Sequence, residues 1–294
     1  MKELKKCNIC PRKCGINRYI QRGYCGAGSK IKIALASIHM WEEPCISGEF
    51  GSGTIFFSYC NLKCIYCQNY KIRNGYGKEI SIKRFSDICI ELQNKNVNNI
   101  NLVTPTEYIP HIIKGIKKAR DNGLVIPIVY NTSGYENVES IKLLKDTVDI
   151  YLTDMKYSST ELSKKYSNAV DYFEIVKKSI DEMVKQQPKS IFENGIMKKG
   201  VIVRVLLLPG HLDDAKKIIC YLYSKYKDSI CISIMNQYTP VIKTKYNNLN
   251  RKVTKNEYNE LIDYAVSLGI NNAFVQEDET QSESFIPKFD KTGV

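Results

Sequence analysis

Cys60, Cys64 and Cys67 fall within eight positions of YCNLKCIYCQNY (59–70). Three closely spaced thiols are one too few for a structural zinc site and an odd number for local disulfides. On one short loop they can wrap a cubane iron–sulfur cluster, each thiolate binding one iron. The fourth iron then lacks a protein ligand and has room for a small molecule. Two plainer alternatives are a zinc site completed by a remote ligand and a set of reduced structural thiols.

A second group comprises Cys7, Cys10 and Cys14 in CNICPRKCG (7–15) and Cys25 in GYCG (23–26). Four thiols have the count for zinc or for an auxiliary iron–sulfur cluster, against the alternative of reduced thiols packing a short extension. Cys45, in EEPC, is a candidate to replace one of the four. Of the 11 cysteines, Cys89, Cys220 and Cys231 stand apart in apolar stretches and read as small core residues.

The elements that must position these thiols begin near residue 54. The runs 54–59, 99–104, 127–132, 148–153, 201–208 and 229–235 are nearly continuous apolar, β-branched segments, as expected of parallel strands covered on both faces. Helical periodicity fills the intervals at 81–95 after the N-cap Ser81, at 109–120, twice within 158–187 behind Ser158, and at 212–226. A last helix at 254–268 opens on Thr254 and Glu257 in capping-box register. AFVQ (273–276) reads as a further short strand, and the polar tail from Glu277 as mobile. Six β/α repeats predict a partial parallel (β/α)6 TIM-like barrel, with a doubly wound sheet as the runner-up. The cysteine-rich extension occupies residues 1–53 and the barrel 54–294. In either fold, ligands gather at the carboxyl ends of the strands, and Cys60 directly follows the first one.

With Tyr66 before its last cysteine, the C-x3-C-x2-C motif resembles the radical S-adenosylmethionine (radical SAM) superfamily. The longer stretch EEPCISGEFGSGTIFFSYCNLKCIYCQN (42–69) is similar to uncharacterised relatives of the pyruvate formate-lyase activating enzymes, as is C-x2-C-P-R-x-C-G-x-N-R at the N-terminus. The resemblance implies an oxygen-sensitive enzyme with a [4Fe–4S] cluster whose open iron chelates S-adenosylmethionine. Reductive cleavage of the sulfonium C–S bond would give methionine and a 5′-deoxyadenosyl radical, which takes hydrogen from a substrate. By analogy that substrate is a protein or peptide, and RNA or a different peptide is the second choice. An electron donor such as flavodoxin or ferredoxin is implied as a partner. Where activating enzymes carry Gly-Gly-Glu, this chain has Thr104, Thr106 and Glu107 in TPTEY. Asp154 and Lys156 match their Asp-x-Lys pattern. Asn131 and Ser133, ending the third strand, are candidates for the ribose or carboxylate, and Arg204 for an anionic group. Each of these polar residues has a structural alternative as a capped turn or buried ion pair.

Composition sets outer bounds. A formal charge of +12 from 43 Lys and Arg against 31 Asp and Glu invites a nucleic-acid reading, in which the chain is a non-enzymatic metal or redox module. The lysines are scattered rather than gathered in one block, so this reading is not favoured. No apolar run has the length of a membrane span, and no apolar segment follows the basic start MKELKK, so a cytoplasmic location is expected. GEFGSG (48–53) precedes a strand instead of following one, so it reads as a turn and not a phosphate loop. His39 in SIHMWEEP is a candidate for a substrate or partner surface. His211 is a candidate to face the pocket and His111 a weaker acid/base candidate.

Overall fold

Ser52–Phe57 (β2) is the strand that delivers the cysteine loop. In the computed structural model, which describes residues 1–271, 273–276, 282, 284 and 286–294, it is buried along its whole length. Parallel to it, in spatial order, run Ile100–Val103 (β4), Ile128–Thr132 (β5), Ile150–Asp154 (β6), Ile196–Leu206 (β8), Cys231–Met235 (β9) and Ala273–Val275 (β10). These are the six expected strands and the short seventh, and they form the parallel sheet of a partial barrel. Their continuous apolar character follows from burial on both faces.

Ile31–His39 (β1) was not expected. It lies antiparallel to β2, pairing His39 with Ser52, and carries Lys78–Ile80 (β3) on its other edge. Ile191–Glu193 (β7) folds back on β8 as a hairpin. Leu4, Ile9 and Ala27 share one hydrophobic core with Ile55, Phe57 and Leu102. Residues 1–53 therefore extend the barrel's sheet and share its core.

The helices follow their periodicity. Ile82–Gln93 is capped by the Ser81 hydroxyl, which accepts from the Arg84 amide at 3.1 Å. Ile109–Asp121, Tyr172–Gln186, Leu212–Tyr226 and Lys255–Ser267 bury one face each. Thr254 and Glu257 close the expected capping box. One cap moves: Ser159, not Ser158, caps Thr160–Ser167, because the Ser158 hydroxyl donates to Asp214 at 2.5 Å instead. Of the tail from Glu277, residues 277–281, 283 and 285 lie outside the described residues, whereas its end, expected to be mobile, packs on β1, with the Ala36 amide donating to the Thr292 carbonyl at 3.0 Å and the Lys291 amide to the Ala34 carbonyl at 2.9 Å. Among the described residues, no helix is long and apolar enough to cross a membrane.

Candidate functional site

The loop after β2 turns sharply because two non-glycine residues adopt left-handed backbone, Tyr59 at φ 76° and Lys63 at φ 56°. Gly75 leaves space for the Tyr59 ring, since a Cβ there would come within 2.3 Å of it. The loop is tied down by its main chain. The Arg73 guanidinium donates to the Cys64 carbonyl at 2.5 Å, and that of Arg12 to the Asn61 carbonyl at 3.0 Å. Arg12 also donates to the carbonyls of Ser167 (3.1 Å) and Asn168 (2.5 Å). The Ser167 hydroxyl donates to the Cys64 sulfur at 3.0 Å. Tyr157, hydrogen-bonded to Ser167, donates to the Tyr66 hydroxyl at 2.7 Å.

Cys60, Cys64 and Cys67 all line one cavity of about 790 Å³, within the usual size for a cofactor site. Burial pushes the Cys60 thiol far up, with Glu107 and Cys64 adding to it, and the Cys67 thiol up to about 11, with Cys64 adding. Thiols so placed stay neutral unless a metal takes up the charge. Among the described residues, no three His, Cys, Asp or Glu side chains converge as ligands of a single ion do. A cubane asks for a different arrangement, with each cysteine on its own iron, and three mutually interacting thiols beside an open cavity fit that donor set.

Of the expected cofactor-binding residues, Tyr66, Thr104, Thr106, Asn131, Ser133, Asp154, Lys156 and Arg204 line the same cavity. Asp154 is their hub, bonded to the Lys156 ammonium at 2.6 Å and the Arg204 guanidinium at 2.7 Å. Burial works against its charge, but these two cations hold its carboxyl below the ordinary value. Arg204 also donates to the Asn131 side-chain oxygen at 2.7 Å. Thr104, in place of a glycine, takes φ 58°, a conformation that costs a β-branched residue about 1–3 kcal/mol.

Glu107 is not among the lining residues. It is 2% exposed and neither carboxylate oxygen has a hydrogen-bond partner. Burial pushes it up to about 8 despite the nearby Arg18, whose guanidinium donates to the Glu107 and Gly28 carbonyls. Its charge acts on Cys10 and Cys25 as well as on Cys60.

Cys10 and Cys25, two of the four N-terminal cysteines, are among the neighbours of this acid. Cys7 pairs with Ile16 through its main chain, and the sulfurs of Cys14 and Cys25 accept from the Tyr24 and Ala27 amides at 3.5 and 3.4 Å. None of the four lines the cavity. Cys45 packs instead with Val129, Leu152 and Cys231 in a separate core cluster, so it is no substitute for one of them. His39 lines the cavity. His211 does not; its ring nitrogen is held by Tyr166 (2.9 Å) and Asn248 (2.8 Å). His111 is bound to the Ser29 carbonyl at 2.8 Å, and burial lowers it to about 4.

Three buried acids were missed from sequence. Glu136 accepts from the hydroxyls of Thr106 and Thr132 at 2.5 Å and of Tyr130 at 3.3 Å, and burial raises it to about 7. Glu42 and Glu43, within the quoted EEPC, line the cavity. A doubled acid next to a Pro, just past an apolar stretch, was the available signal.

Comparison with known proteins bears on all of this. The family model described as the Radical SAM superfamily matches residues 54–219. Uncharacterized protein MJ0674 of Methanocaldococcus jannaschii is 32% identical over 278 residues, covering 89% of this chain and 74% of the relative. Among solved structures, Streptococcus suis SuiB bound to precursor peptide SuiA aligns with a TM-score of 0.51 at 11% identity, over 75% of this chain and 47% of that one. SuiB bound to S-adenosylmethionine gives 0.50 at 12% identity, over 75% and 49%. The chain thus spans about half the length of these solved chains, and the likeness is one of fold.

Proposed function

The chain belongs to the radical SAM superfamily, whose cofactors are a [4Fe–4S] cluster and S-adenosylmethionine, and from that premise we propose that Cys60, Cys64 and Cys67 hold the cluster in an enzyme acting on a protein or peptide. When bound, these groups supply a 5′-deoxyadenosyl radical, formed by reductive cleavage of the sulfonium C–S bond, that takes hydrogen from the substrate. The observation that carries the proposal is that all three cysteines line one cavity together with Asp154, Lys156 and Arg204.

The chain's own residues have distinct tasks in this scheme. Lys156 and Arg204 offer positive charge to the carboxylate of S-adenosylmethionine, and Asp154 fixes both cations so that neither is lost to solvent. Thr104, Thr106, Asn131 and Ser133 supply hydrogen-bonding groups at the ends of β4 and β5, and Tyr66 a wall held by Tyr157. Glu107, the residue expected to accept from the amino group, is buried outside the cavity lining and is given no contact with S-adenosylmethionine in this scheme. Phe56, Leu62 and Val103 keep the floor apolar and exclude water. Cys7, Cys10, Cys14 and Cys25, expected to hold zinc or an iron–sulfur cluster, do not converge as the ligands of a single ion do, so in this proposal their metal is an iron–sulfur cluster and not zinc. Flavodoxin or ferredoxin is the electron donor, and the cytoplasm is the setting. The peptide bound by SuiB, on the same fold, supports a peptide substrate by analogy only.

The test is anaerobic reconstitution followed by strong reduction with S-adenosylmethionine present. The wild type forms 5′-deoxyadenosine, whereas Cys64→Ala forms none and keeps the metal of the N-terminal cysteines. A full cluster without cleavage would end the proposal.

A further inference from the structure

Glu42 and Glu43 follow β1, which runs antiparallel to β2 and pairs His39 with Ser52, the first residue of that strand. They therefore enter the cavity from the amino end of the parallel strands, whereas Cys60 follows their carboxyl end. Around Glu42 and Glu43 the charges are not paired one to one. The Lys156 ammonium is bonded to Asp154. Arg204 spends its Nε on Asp154 and one terminal nitrogen on Asn131, so only its other nitrogen faces Glu42, at 3.5 Å. Among the described residues Glu43 forms no ion pair, although the Arg204 charge acts on it. It is 7% exposed, the Ser233 hydroxyl lies beside it, and its Oε2 has no hydrogen-bond partner. Around these acids three carboxylates thus meet two cations, both shared with Asp154, while Arg73, the third cation of the lining, is bound to the Cys64 carbonyl on the cysteine loop.

A second group nearby is also unused. The Thr239 hydroxyl lines the same cavity, is 6% exposed and lacks a partner. An unpaired buried carboxylate costs several kcal/mol, and burial accordingly pushes Glu43 up to about 7. At the rim stand Met40 and Trp41, the latter 61% exposed, giving an apolar approach to the acids.

We propose that Glu42 and Glu43 form a subsite for a cationic group of the substrate, an ammonium or guanidinium on an aliphatic stem, at the end of the cavity opposite the cysteine loop. The subsite rests on the reading of the cavity as a radical SAM active site and narrows its substrate class. A bound cation completes the charge balance, accepts at Glu43 Oε2, and lays its stem along Met40 and Trp41. Anchored there, a substrate lies next to the residues assigned to S-adenosylmethionine, because Glu42 accepts from Arg204 at 3.5 Å and from the Asn131 amide at 3.4 Å.

Equilibrium binding tests this without turnover. The reconstituted full-length protein, loaded with S-adenosylmethionine under anaerobic conditions, is titrated by calorimetry with the methylamides of N-acetyl-lysine, N-acetyl-arginine and N-acetyl-norleucine, and with n-butylamine. The lysine or arginine probe is expected to bind at least about ten-fold tighter than norleucine, and Glu43→Gln to erase most of that preference. Glu42→Gln should erase less, because Glu42 keeps its contact with Arg204. Tight binding of n-butylamine assigns the recognition to a free amine, and binding confined to the amides assigns it to a side chain in a peptide. Either outcome supports the subsite. Norleucine binding as well as lysine, or an undiminished preference in Glu43→Gln, overturns it. If Glu43→Gln does not fold, the ranking of probes on the wild type decides alone. Failure of cleavage in the reductive assay would instead count against the radical SAM site, so the two failures are distinguishable.

Discussion

Two groups of cysteines differ in what they face. Cys60, Cys64 and Cys67 open on the cavity, while Cys7, Cys10, Cys14 and Cys25 are not part of its lining. Glu107 is a neighbour of both groups and, when ionised, raises the thiols of Cys10, Cys25 and Cys60. The residue type is the same and the setting differs. A loop at the carboxyl end of a barrel strand meets an open space and other strand-end polar groups. The N-terminal lobe meets main-chain amides and an unpartnered acid. Three thiols with an open position suit reaction, and four closed in by their own lobe suit a structural or relay metal.

The largest effect should come from the cavity side. Asp154→Asn leaves the buried Arg204 and Lys156 without their shared anion, and urea unfolding is expected to show a loss of about 3–5 kcal/mol. A loss under 1 kcal/mol would mean that the cavity is wetter than described, and the contrast between the two sides would weaken.

A buried acid is next. The Glu136 carboxyl is raised to about 7 by burial, against about 4.3 in an unfolded chain. Its folded state therefore holds a proton that the unfolded state has released, so stability is highest below the unfolded value and falls as pH rises through about 7. For this one group the fall is up to about 4 kcal/mol. Unfolding measured from pH 4.5 to 8 should show a smaller decline in Glu136→Gln than in the wild type.

Arg12 joins the two sides. It belongs to the N-terminal motif, yet donates to carbonyls of the Cys60 loop and of residues 167–168, and stacks 4.0 Å from the Tyr24 ring centre. Arg12→Ala should cost about 2 kcal/mol and raise amide hydrogen exchange in both the loop and the lobe. Exchange confined to the lobe would show that the loop stands without it.

The smallest expected change is at Thr104. Its left-handed backbone is strained, so Thr104→Gly should gain up to about 1 kcal/mol in thermal or urea unfolding, after the entropy cost of glycine is set against the relieved strain.

Much of the barrel was legible because its parallel strands are apolar on both faces, which leaves an unmistakable run of Ile, Val and Leu. The cysteine loop was legible from spacing, Asp154 and Lys156 from the Asp-x-Lys pattern of the enzymes the chain resembles, and Arg204 from a charge set inside an otherwise apolar strand. β1 was not, because IKIALASIH precedes the motif and sits inside a segment dominated by its cysteines. Glu42, Glu43 and Glu136 were hidden for a different reason: an acid buried by contacts far along the chain has the same local sequence as one in water. Glu107 was found by position, but its place outside the cavity lining depends on Arg18 and the lobe, which no local pattern reveals.

The central claim is that the loop cysteines leave one iron open to S-adenosylmethionine. Electron paramagnetic resonance of the reduced, reconstituted protein tests it most directly, because a ligand arriving on an iron changes the spectrum of the cluster. Addition of S-adenosylmethionine should shift the signal of the wild type and of the variant in which Cys7, Cys10, Cys14 and Cys25 are alanine, and should shift nothing in Cys64→Ala. A fully loaded wild-type cluster whose spectrum S-adenosylmethionine leaves unmoved would contradict the claim.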